Sequence, residues 1–316
     1  MVDVSIVVPV YNMVGLMESG VASLLNQTYD SLEIIFVDDG STDNSLDYLE
    51  NLSSATKEIR VFSKPNGGLA AARNYGVSKV RGKYLLFFDP DDSLREDAIE
   101  KMMTTVSKQQ SMLDILVFNT IDLDFKSGIE IKKVTHGTLP ENAGSVAWNK
   151  LFRTDFWKEN FEFPVDVRFE DTGIIPFAVA KATNIFILNE FLYFYRKNRN
   201  GSLLTTANGH AYKDELATVE RLLHLAKDSE LNKSRKHSLY KFTTKKIAHT
   251  ILKYSSTFDR QRFSVASLIF DESYVSFLKT QVESEQLALQ MYFWAIGKML
   301  KFKFRFGLLI LNKIKG

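Results

Sequence analysis

The chain has 316 residues, of which 45% are hydrophobic and 25% charged, with a formal net charge of +2. These values are typical of a globular protein with one large domain or two ordinary ones, and they argue against a dedicated nucleic-acid binder. Cysteine is absent, which excludes a disulfide framework, a cysteine-ligated zinc site and a thiol nucleophile.

The N-terminal residues lack the basic region and cleavage site of a signal peptide. No uncharged apolar run reaches the roughly 20 residues that a bilayer-spanning helix needs. We therefore expect a cytoplasmic protein without a nucleic-acid partner, either free in the cytoplasm or peripheral on the inner face of the cell membrane.

The first hundred residues alternate between short apolar runs and stretches of helical spacing. The sequence predicts strands at Val4–Val10, Ile34–Val37, Arg60–Phe62 and Tyr84–Phe88, and helices at 15–27, 41–52, 69–80 and 93–106. This alternation predicts an α/β fold with an open, mostly parallel, Rossmann-like sheet, whose ligand site lies beyond the carboxyl ends of the strands.

The pattern after Asp97 is less regular. Ile115–Asn119 predicts another strand, and Ile121–Lys133 is consistent with an edge hairpin. The polar stretch 198–209 contains two glycines and predicts a domain boundary. We therefore expect one domain over residues 1–205 and a mostly helical C-terminal region over residues 206–316.

Two acidic clusters directly follow predicted strands. Asp38 and Asp39 are costly to bury unless they bind a ligand or cap a structure, and capping of the next helix by Asp39 and Ser41 remains the alternative. In the second cluster, Phe88-Asp89-Pro90-Asp91-Asp92, three carboxylates lie within four residues and repel one another. Such oxygen ligands suit Mg²⁺ or Mn²⁺, with a diphosphate completing the coordination; the alternative is a solvated turn that caps a helix.

A glycine-rich turn precedes the helix predicted from Leu69. Asn66-Gly67-Gly68 permits close approach of a ligand to the backbone, and Arg73 projects one turn into that helix. The turn is weak evidence for a phosphate site by itself, and it lacks the Gly-Lys-Ser/Thr of a Walker loop.

Together these segments resemble a known family. Between residues 3 and 200, the order and spacing of four motifs are similar to those of bacterial family 2 glycosyltransferases with the GT-A fold. The motifs are Pro9-Val10-Tyr11-Asn12, Val37-Asp38-Asp39-Gly40-Ser41-Thr42-Asp43, Asn66-Gly67-Gly68 with Ala72-Arg73-Asn74, and Phe88-Asp89-Pro90-Asp91-Asp92.

The resemblance implies a site for a nucleotide-sugar and a metal ion. It places Pro9, Tyr11, Asn12, Asp39, Asn66, Gly67, Arg73, Asp89 and Arg196 at the donor. Asp91 is the implied direct ligand of Mn²⁺ or Mg²⁺, and Asp89 lies at the ribose or in the metal shell. Arg196, on a loop able to close over the diphosphate, is preferred to Arg199; a solvated basic loop is the alternative.

Two later segments extend the resemblance to the acceptor. Val146–Leu151 resembles a strand that lines the acceptor side, which implicates Trp148 and Lys150. Glu170-Asp171 resembles an element whose aspartate is the catalytic base, with Glu170 on the acceptor side and able to raise the pKa of Asp171. The alternative is an acidic first turn of the following helix.

The implied activity is a metal-dependent, inverting transfer from a UDP-sugar to a hydroxyl group of a glycan acceptor. A polyprenyl-linked oligosaccharide in capsule or exopolysaccharide synthesis is the preferred acceptor, and glycan elongation on an adhesin glycoprotein is the alternative. A non-catalytic glycosyltransferase-like subunit would not need Asp89, Asp91 and Asp171. A dinucleotide-binding dehydrogenase is disfavoured because no Gly-x-Gly-x-x-Gly follows the first strand.

Basic residues are concentrated late in the chain. Lys233–Lys246 is a basic helical stretch, and Met291–Gly316 combines lysines and arginine with aromatic residues and no acid. Two interpretations stay open: a helix on an anionic membrane surface, or a helix packed on the catalytic domain or on a second subunit of a homo-oligomer.

Overall fold

The computed structural model describes residues 2–165, 167–199 and 211–253. The chain divides into two compact units, Met1–Thr206 and Ala207–Gly316. In chain order the elements of the first unit are β1 (Val4–Val10), α1 (Glu18–Leu25), β2 (Leu32–Asp38), α2 (Ser45–Ala55), β3 (Ile59–Ser63), α3 (Gly68–Lys79), β4 (Tyr84–Phe87), β5 (Ser93–Leu94), α4 (Ala98–Ser107), β6 (Ile115–Asp124), β7 (Glu130–Val134), β8 (Lys150–Arg153), α5 (Thr154–Asn160), α6 (Ile175–Lys181) and β9 (Ile185–Lys197).

These strands form one sheet in the order β3-β2-β1-β4-β8-β6-β9-β5, with β7 paired to β6. The first four strands are parallel, as the alternation of strands and helices predicts. Beyond β4 the sheet becomes mixed, because β8 runs antiparallel between β4 and β6, while β6 and β9 are parallel. The predicted α/β class is confirmed, but only the N-terminal half of the sheet is parallel throughout.

Small residues allow α3 to pack closely on this sheet. Ala70, Ala72 and Gly76 are buried on one face of the helix. A Cβ atom added at Gly76 would overlap the side chain of Val7 and lie 3.2 Å from Cγ2 of Val37. Arg73 is buried on the same helix, so the close packing brings its guanidinium to the strand ends.

Pro9 lies where β1 and β4 separate. β1 pairs with β2 as far as Val10 and Asp38, whereas its ladder with β4 ends at Val7 and Phe87. Proline has no amide hydrogen to continue a ladder, so the two strands part at this position. The chain after β4 therefore leaves the sheet beside the end of β1, which places the Asp89–Asp92 segment next to the β1 loop.

One predicted helix differs in its start, and one predicted hairpin is present. The helix expected over 93–106 begins only at Ala98, because Ser93 and Leu94 instead pair with β9. The hairpin expected after Ile121 is present, formed by the end of β6 and by β7.

The second unit contains α7 (Ala211–Asp228) and α8 (Lys233–Lys253), which pack on each other. The carboxylate of buried Glu215 accepts a hydrogen bond of 2.6 Å from the Thr250 hydroxyl. Across residues 2–165, 167–199 and 211–253, no helix has the length and apolar character needed to cross a membrane. Most of the predicted boundary stretch and all of the basic segment 291–316 lie outside the described residues.

Candidate active site

Asn12 holds the loops after β1 and β2 together. Its φ angle is 50°, a left-handed conformation that asparagine tolerates better than most residues. Its side-chain oxygen accepts a 2.7 Å hydrogen bond from the backbone amide of Thr42, and its backbone amide donates a 3.0 Å hydrogen bond to the Ser41 hydroxyl. The neighbouring Tyr11 keeps 48% of its surface exposed, so the braced loops present an aromatic ring beyond β1.

Asp39 connects the end of β2 to the start of α3. Its buried carboxylate accepts hydrogen bonds from the amides of Gly67 at 3.0 Å and Gly68 at 2.7 Å, and it pairs with Lys64 Nζ at 2.6 Å. Asp39 therefore caps α3, rather than the helix that directly follows it in sequence, while Asn66 and Gly67 stay exposed at the same corner. These contacts hold Asp39 at the corner where the sequence led us to expect a nucleobase or ribose, and that role stays a prediction.

Asp92 anchors the acidic loop to β9. Its buried carboxylate accepts hydrogen bonds from the Tyr193 hydroxyl and the Arg196 amide, both at 2.7 Å. The Tyr193 hydroxyl in turn accepts a 3.2 Å hydrogen bond from the Asp89 amide. Burial and the charges of Asp91 and Asp89 raise the pKa of Asp92 well above its ordinary value. With Asp92 fixed, Asp89 and Asp91 remain partly exposed, at 24% and 17% of their side-chain surfaces.

Arg73 joins three carboxylates at the centre of the site. Its side chain is 1% exposed, and its nitrogens lie 2.8 Å from Asp89, 2.6 Å from Glu170 and 2.7 Å from Asp171. Its Nε has no hydrogen-bond partner among the residues that the structure describes. Its contacts link the acidic loop after β4 to Glu170-Asp171, and its expected position beside the nucleobase or ribose stays a prediction.

Asp171 has the properties of a carboxylate that can accept a proton near neutral pH. Its Oδ1 accepts a hydrogen bond from Arg73, and its Oδ2 accepts a 3.0 Å hydrogen bond from the Ala147 amide. Its side chain is 15% exposed. Burial raises the pKa of Asp171 to about 7; the charges of Glu170 and Asp89 add to the rise, while Arg73 and the Ala147 amide oppose it. Glu170 and Asp171 precede α6 and do not form the first turn of that helix.

Arg199 lies against the acidic loop. Its Nε is 2.7 Å from the Asp91 carboxylate, whose pKa is raised by burial and by Asp89 and lowered by this arginine. Arg196, the preferred candidate for contact with the donor diphosphate, uses its backbone amide to bind Asp92 and places its guanidinium 5.8 Å from the centre of the Phe125 ring. Arg199, the second choice, is thus the arginine whose side chain reaches the acidic pair.

The residues expected on the acceptor side are buried. Lys150 was expected to face the acceptor, but it is fully buried and donates hydrogen bonds to three oxygens of its own loop. Trp148 is 7% exposed and stacks on Tyr193 and Tyr195, with ring centres 4.4 and 5.1 Å apart. Glu170 is buried on Arg73. All three side chains contact the protein interior, and their place on the acceptor side stays a prediction.

Two residues of this site were missed in the sequence. Gly20 in α1 touches the acidic loop so closely that an added Cβ atom would overlap the Pro90 carbonyl oxygen. A glycine inside a helical stretch is a signal of close approach, and it could have been found. Tyr193 carries no comparable signal, because its role depends on partners about a hundred residues earlier in the chain.

Comparison with known proteins identifies the family. Residues 5–157 match the family model described as Glycosyl transferase family 2. Glycosyltransferase GlyG of Streptococcus pneumoniae serotype 4 (strain ATCC BAA-334 / TIGR4) is 31% identical over 224 residues, which cover 64% of this chain and 73% of GlyG. The chain is a family 2 glycosyltransferase. The glycosyltransferase EpsJ of Bacillus subtilis (strain 168) is 34% identical over 216 residues, covering 62% of each protein, so the match spans less than two thirds of EpsJ.

Solved structures share the fold of this glycosyltransferase. S. aureus TarS in complex with UDP superposes with a TM-score of 0.77 at 16% identity, over 98% of this chain and 90% of that one. The mannosyltransferase PcManGT from Pyrobaculum calidifontis, in complex with GDP-Man and Mn²⁺, gives 0.55 at 15% identity, over 98% and 86%. The predicted GT-A fold is confirmed.

The acidic pair of the glycosyltransferase suits a cation that arrives with a phosphate ligand. Within the described ranges, no three His, Cys, Asp or Glu side chains form a group that could hold a metal ion by themselves. Mg²⁺, however, is usually held by one or two carboxylates together with substrate phosphates and water. Asp89 and Asp91 are partly exposed oxygen donors at the end of β4, so they fit that mode of binding.

Proposed function

We propose that this glycosyltransferase transfers a sugar from a UDP-sugar to a hydroxyl group of a glycan, with inversion at the anomeric carbon and with Mn²⁺ or Mg²⁺. One observation carries the proposal. The guanidinium of Arg73 binds both Asp89 of the acidic loop, where the donor diphosphate is proposed to lie, and Asp171, whose pKa is raised to about 7. One side chain therefore holds the proposed donor site next to the proposed base.

The donor would occupy the corner formed by the loops after β1, β2 and β4. The exposed ring of Tyr11 is suited to stack on the base, and the parting of β1 and β4 at Pro9 leaves room beside it. Asn12 and Asp39 shape this corner through their hydrogen bonds, and they leave Asn66 and Gly67 exposed toward it.

The leaving diphosphate would lie against Asp89 and Asp91. A divalent cation bound there neutralises negative charge on the departing nucleoside diphosphate. Arg199 already contacts Asp91, and a donor with its own cation would free this guanidinium to bind a phosphate oxygen. Arg196 keeps a positional role through the hydrogen bond that its backbone amide donates to the Asp92 carboxylate.

The chemistry is a single displacement. The acceptor oxygen forms a bond to the anomeric carbon as the bond between that carbon and the diphosphate oxygen breaks, and UDP leaves with the electron pair. Asp171 accepts the hydroxyl proton, which a carboxyl with a pKa of about 7 does efficiently near neutral pH. Attack from the side opposite the leaving group inverts the anomeric configuration.

For the acceptor, we propose a polyprenyl-linked oligosaccharide of capsule or exopolysaccharide synthesis, reached at the inner face of the cell membrane. The basic composition of Lys233–Lys246 and of 291–316 supports an anionic surface as partner. The same C-terminal region could instead join subunits, so residues 1–205 are proposed as the catalytic domain and 206–316 as a membrane-surface or oligomerisation element.

The direct test measures UDP release by the purified full chain from a panel of UDP-sugars with Mn²⁺. Acceptors are polyprenyl-diphosphate-linked saccharides, free oligosaccharides and a glycopeptide. We expect acceptor-dependent release that chelation with EDTA abolishes and Mn²⁺ restores, and an inverted linkage by NMR. Retention of configuration would refute the single displacement, and absence of release with every pair would support a non-catalytic subunit.

The substitution Asp171→Asn tests whether Asp171 accepts the hydroxyl proton. The amide cannot accept the proton, so we expect transfer to fall by about 100- to 10,000-fold while the donor KM changes little. Asp47→Asn, on an exposed position of α2, is the matched control and should retain full activity. Near-normal transfer by Asp171→Asn would show that another group takes the proton.

A further inference from the structure

A buried ammonium group organises the loop that precedes β8. Lys150 Nζ donates hydrogen bonds to the carbonyl oxygens of Gly144 at 3.0 Å and Val146 at 2.8 Å, and to Asn149 Oδ1 at 2.6 Å. An ammonium has three donors and no acceptor, so this set satisfies it fully. Asn149 also donates to the Ala143 carbonyl at 3.2 Å, which closes the loop from the other side.

One peptide group of this loop faces both Lys150 and Asp171. The carbonyl of Val146 accepts from Lys150, and the amide of the same peptide, which belongs to Ala147, donates to Asp171 Oδ2 at 3.0 Å. The two ends of a planar trans peptide point in opposite directions. Holding the carbonyl toward the ammonium therefore aims the amide hydrogen at the carboxylate.

We propose that Lys150 is a positioning residue for Asp171, acting through the peptide group between Val146 and Ala147. The inference rests on the proposed role of Asp171 as base. The ammonium fixes the direction of the peptide dipole, and hydrogen bonds in such a chain polarise and strengthen one another. Ala147 then holds one carboxylate oxygen while Arg73 holds the other, so the remaining lone pairs of Asp171 keep a defined direction toward the acceptor.

A purely structural role for Lys150 predicts a different result. If the ammonium only filled the loop, its loss would lower stability, and donor binding and turnover would decline together with the folded fraction. If it positions the base, turnover falls while donor binding is retained, because the donor corner is formed by other loops. Separate measurement of kcat and of the donor KM distinguishes the two roles.

The test is Lys150→Met in the full chain, which keeps the length of the side chain and removes the ammonium. At equal folded fraction by circular dichroism, we expect kcat at least tenfold below wild type and a donor KM within twofold. Lys150→Gln keeps hydrogen-bond donors without the charge and should lose less. If Lys150→Met does not fold, kcat and the donor KM of Lys150→Gln are compared instead. We then expect at least a threefold loss of kcat with a donor KM within twofold.

Lys158→Met is the matched control, because Lys158 Nζ also donates to a backbone carbonyl, that of Val80 at 3.0 Å, outside the site. Its kcat should remain within twofold of wild type. A kcat within twofold of wild type for folded Lys150→Met, or equal losses of kcat and donor affinity, would overturn the inference. If Asp171→Asn keeps normal transfer, the proposal that Asp171 is the base is wrong. If Asp171→Asn loses transfer but the Lys150 variants keep it, only the positioning role of Lys150 is wrong.

Discussion

Replacing Gly20 by alanine should displace the acidic loop without changing any polar group of the site. An added Cβ atom would lie 2.7 Å from the Asp92 carbonyl oxygen and closer still to that of Pro90, whereas real Cβ contacts are essentially never under 3.0 Å. Both neighbours are backbone atoms, so α1 or the loop must retreat by about 1 Å, a misplacement that can cost about 100-fold in rate. We expect kcat to fall by about 10- to 100-fold.

The melting temperature of Gly20→Ala is a second test of the same contact. In a helix free of clashes, alanine is about 1 kcal/mol more favourable than glycine, so the same substitution would raise the melting temperature. Ser19→Ala, at the exposed neighbouring position of α1, is the control and should keep both rate and stability. A Gly20→Ala protein that melts higher than wild type and transfers sugar at the wild-type rate would refute the close packing described for this loop.

Three further outcomes follow from the site. The ratio kcat/KM should rise with pH as Asp171, whose pKa burial raises to about 7, becomes ionised, and it should fall again at higher pH as Lys150, whose pKa burial lowers to about 7, loses the charge that positions the base; a profile flat from pH 5 to 8 would contradict this. Tyr193→Phe removes the hydroxyl between Asp89 and Asp92 and should lower the free energy of unfolding in urea by about 1–3 kcal/mol. Arg199→Met should raise the donor KM about tenfold, as expected for a lost charge-assisted hydrogen bond to a phosphate, whereas an unchanged KM would place Arg199 outside the donor site.

The parallel half of the fold could be predicted from the sequence because its signals are local. β1, β2 and β4 are buried along their whole length and consist mostly of apolar residues. The acidic groups that follow β2 and β4 were found for the same reason, since a carboxylate after a buried strand is conspicuous. β5 was not predicted, because its two residues are a strand only through pairing with β9, a hundred residues later.

Residues whose partners are distant in sequence were assigned less well. Arg73 was recognised by its motif, but its contacts with Glu170 and Asp171 join positions 97 and 98 residues apart. Lys150 differs, because its three hydrogen-bond partners lie within six residues of it, yet the loop conformation that brings them around its ammonium carries no signal in the sequence. Burial of a charged side chain depends on tertiary contacts, and local patterns do not report them.

The ion pairs of Arg73 have a consequence for synthesis of the chain. During translation this arginine and Asp89 are made long before Glu170 and Asp171, which supply the remaining charge contacts of a guanidinium that is buried in the finished fold. A nascent chain that ends near residue 160 would therefore have to bury a cation with a single partner, which is costly. We expect the parallel strands to reach their native packing only after α6 has left the ribosome, because Glu170 and Asp171 supply the charges that allow Arg73 to be buried.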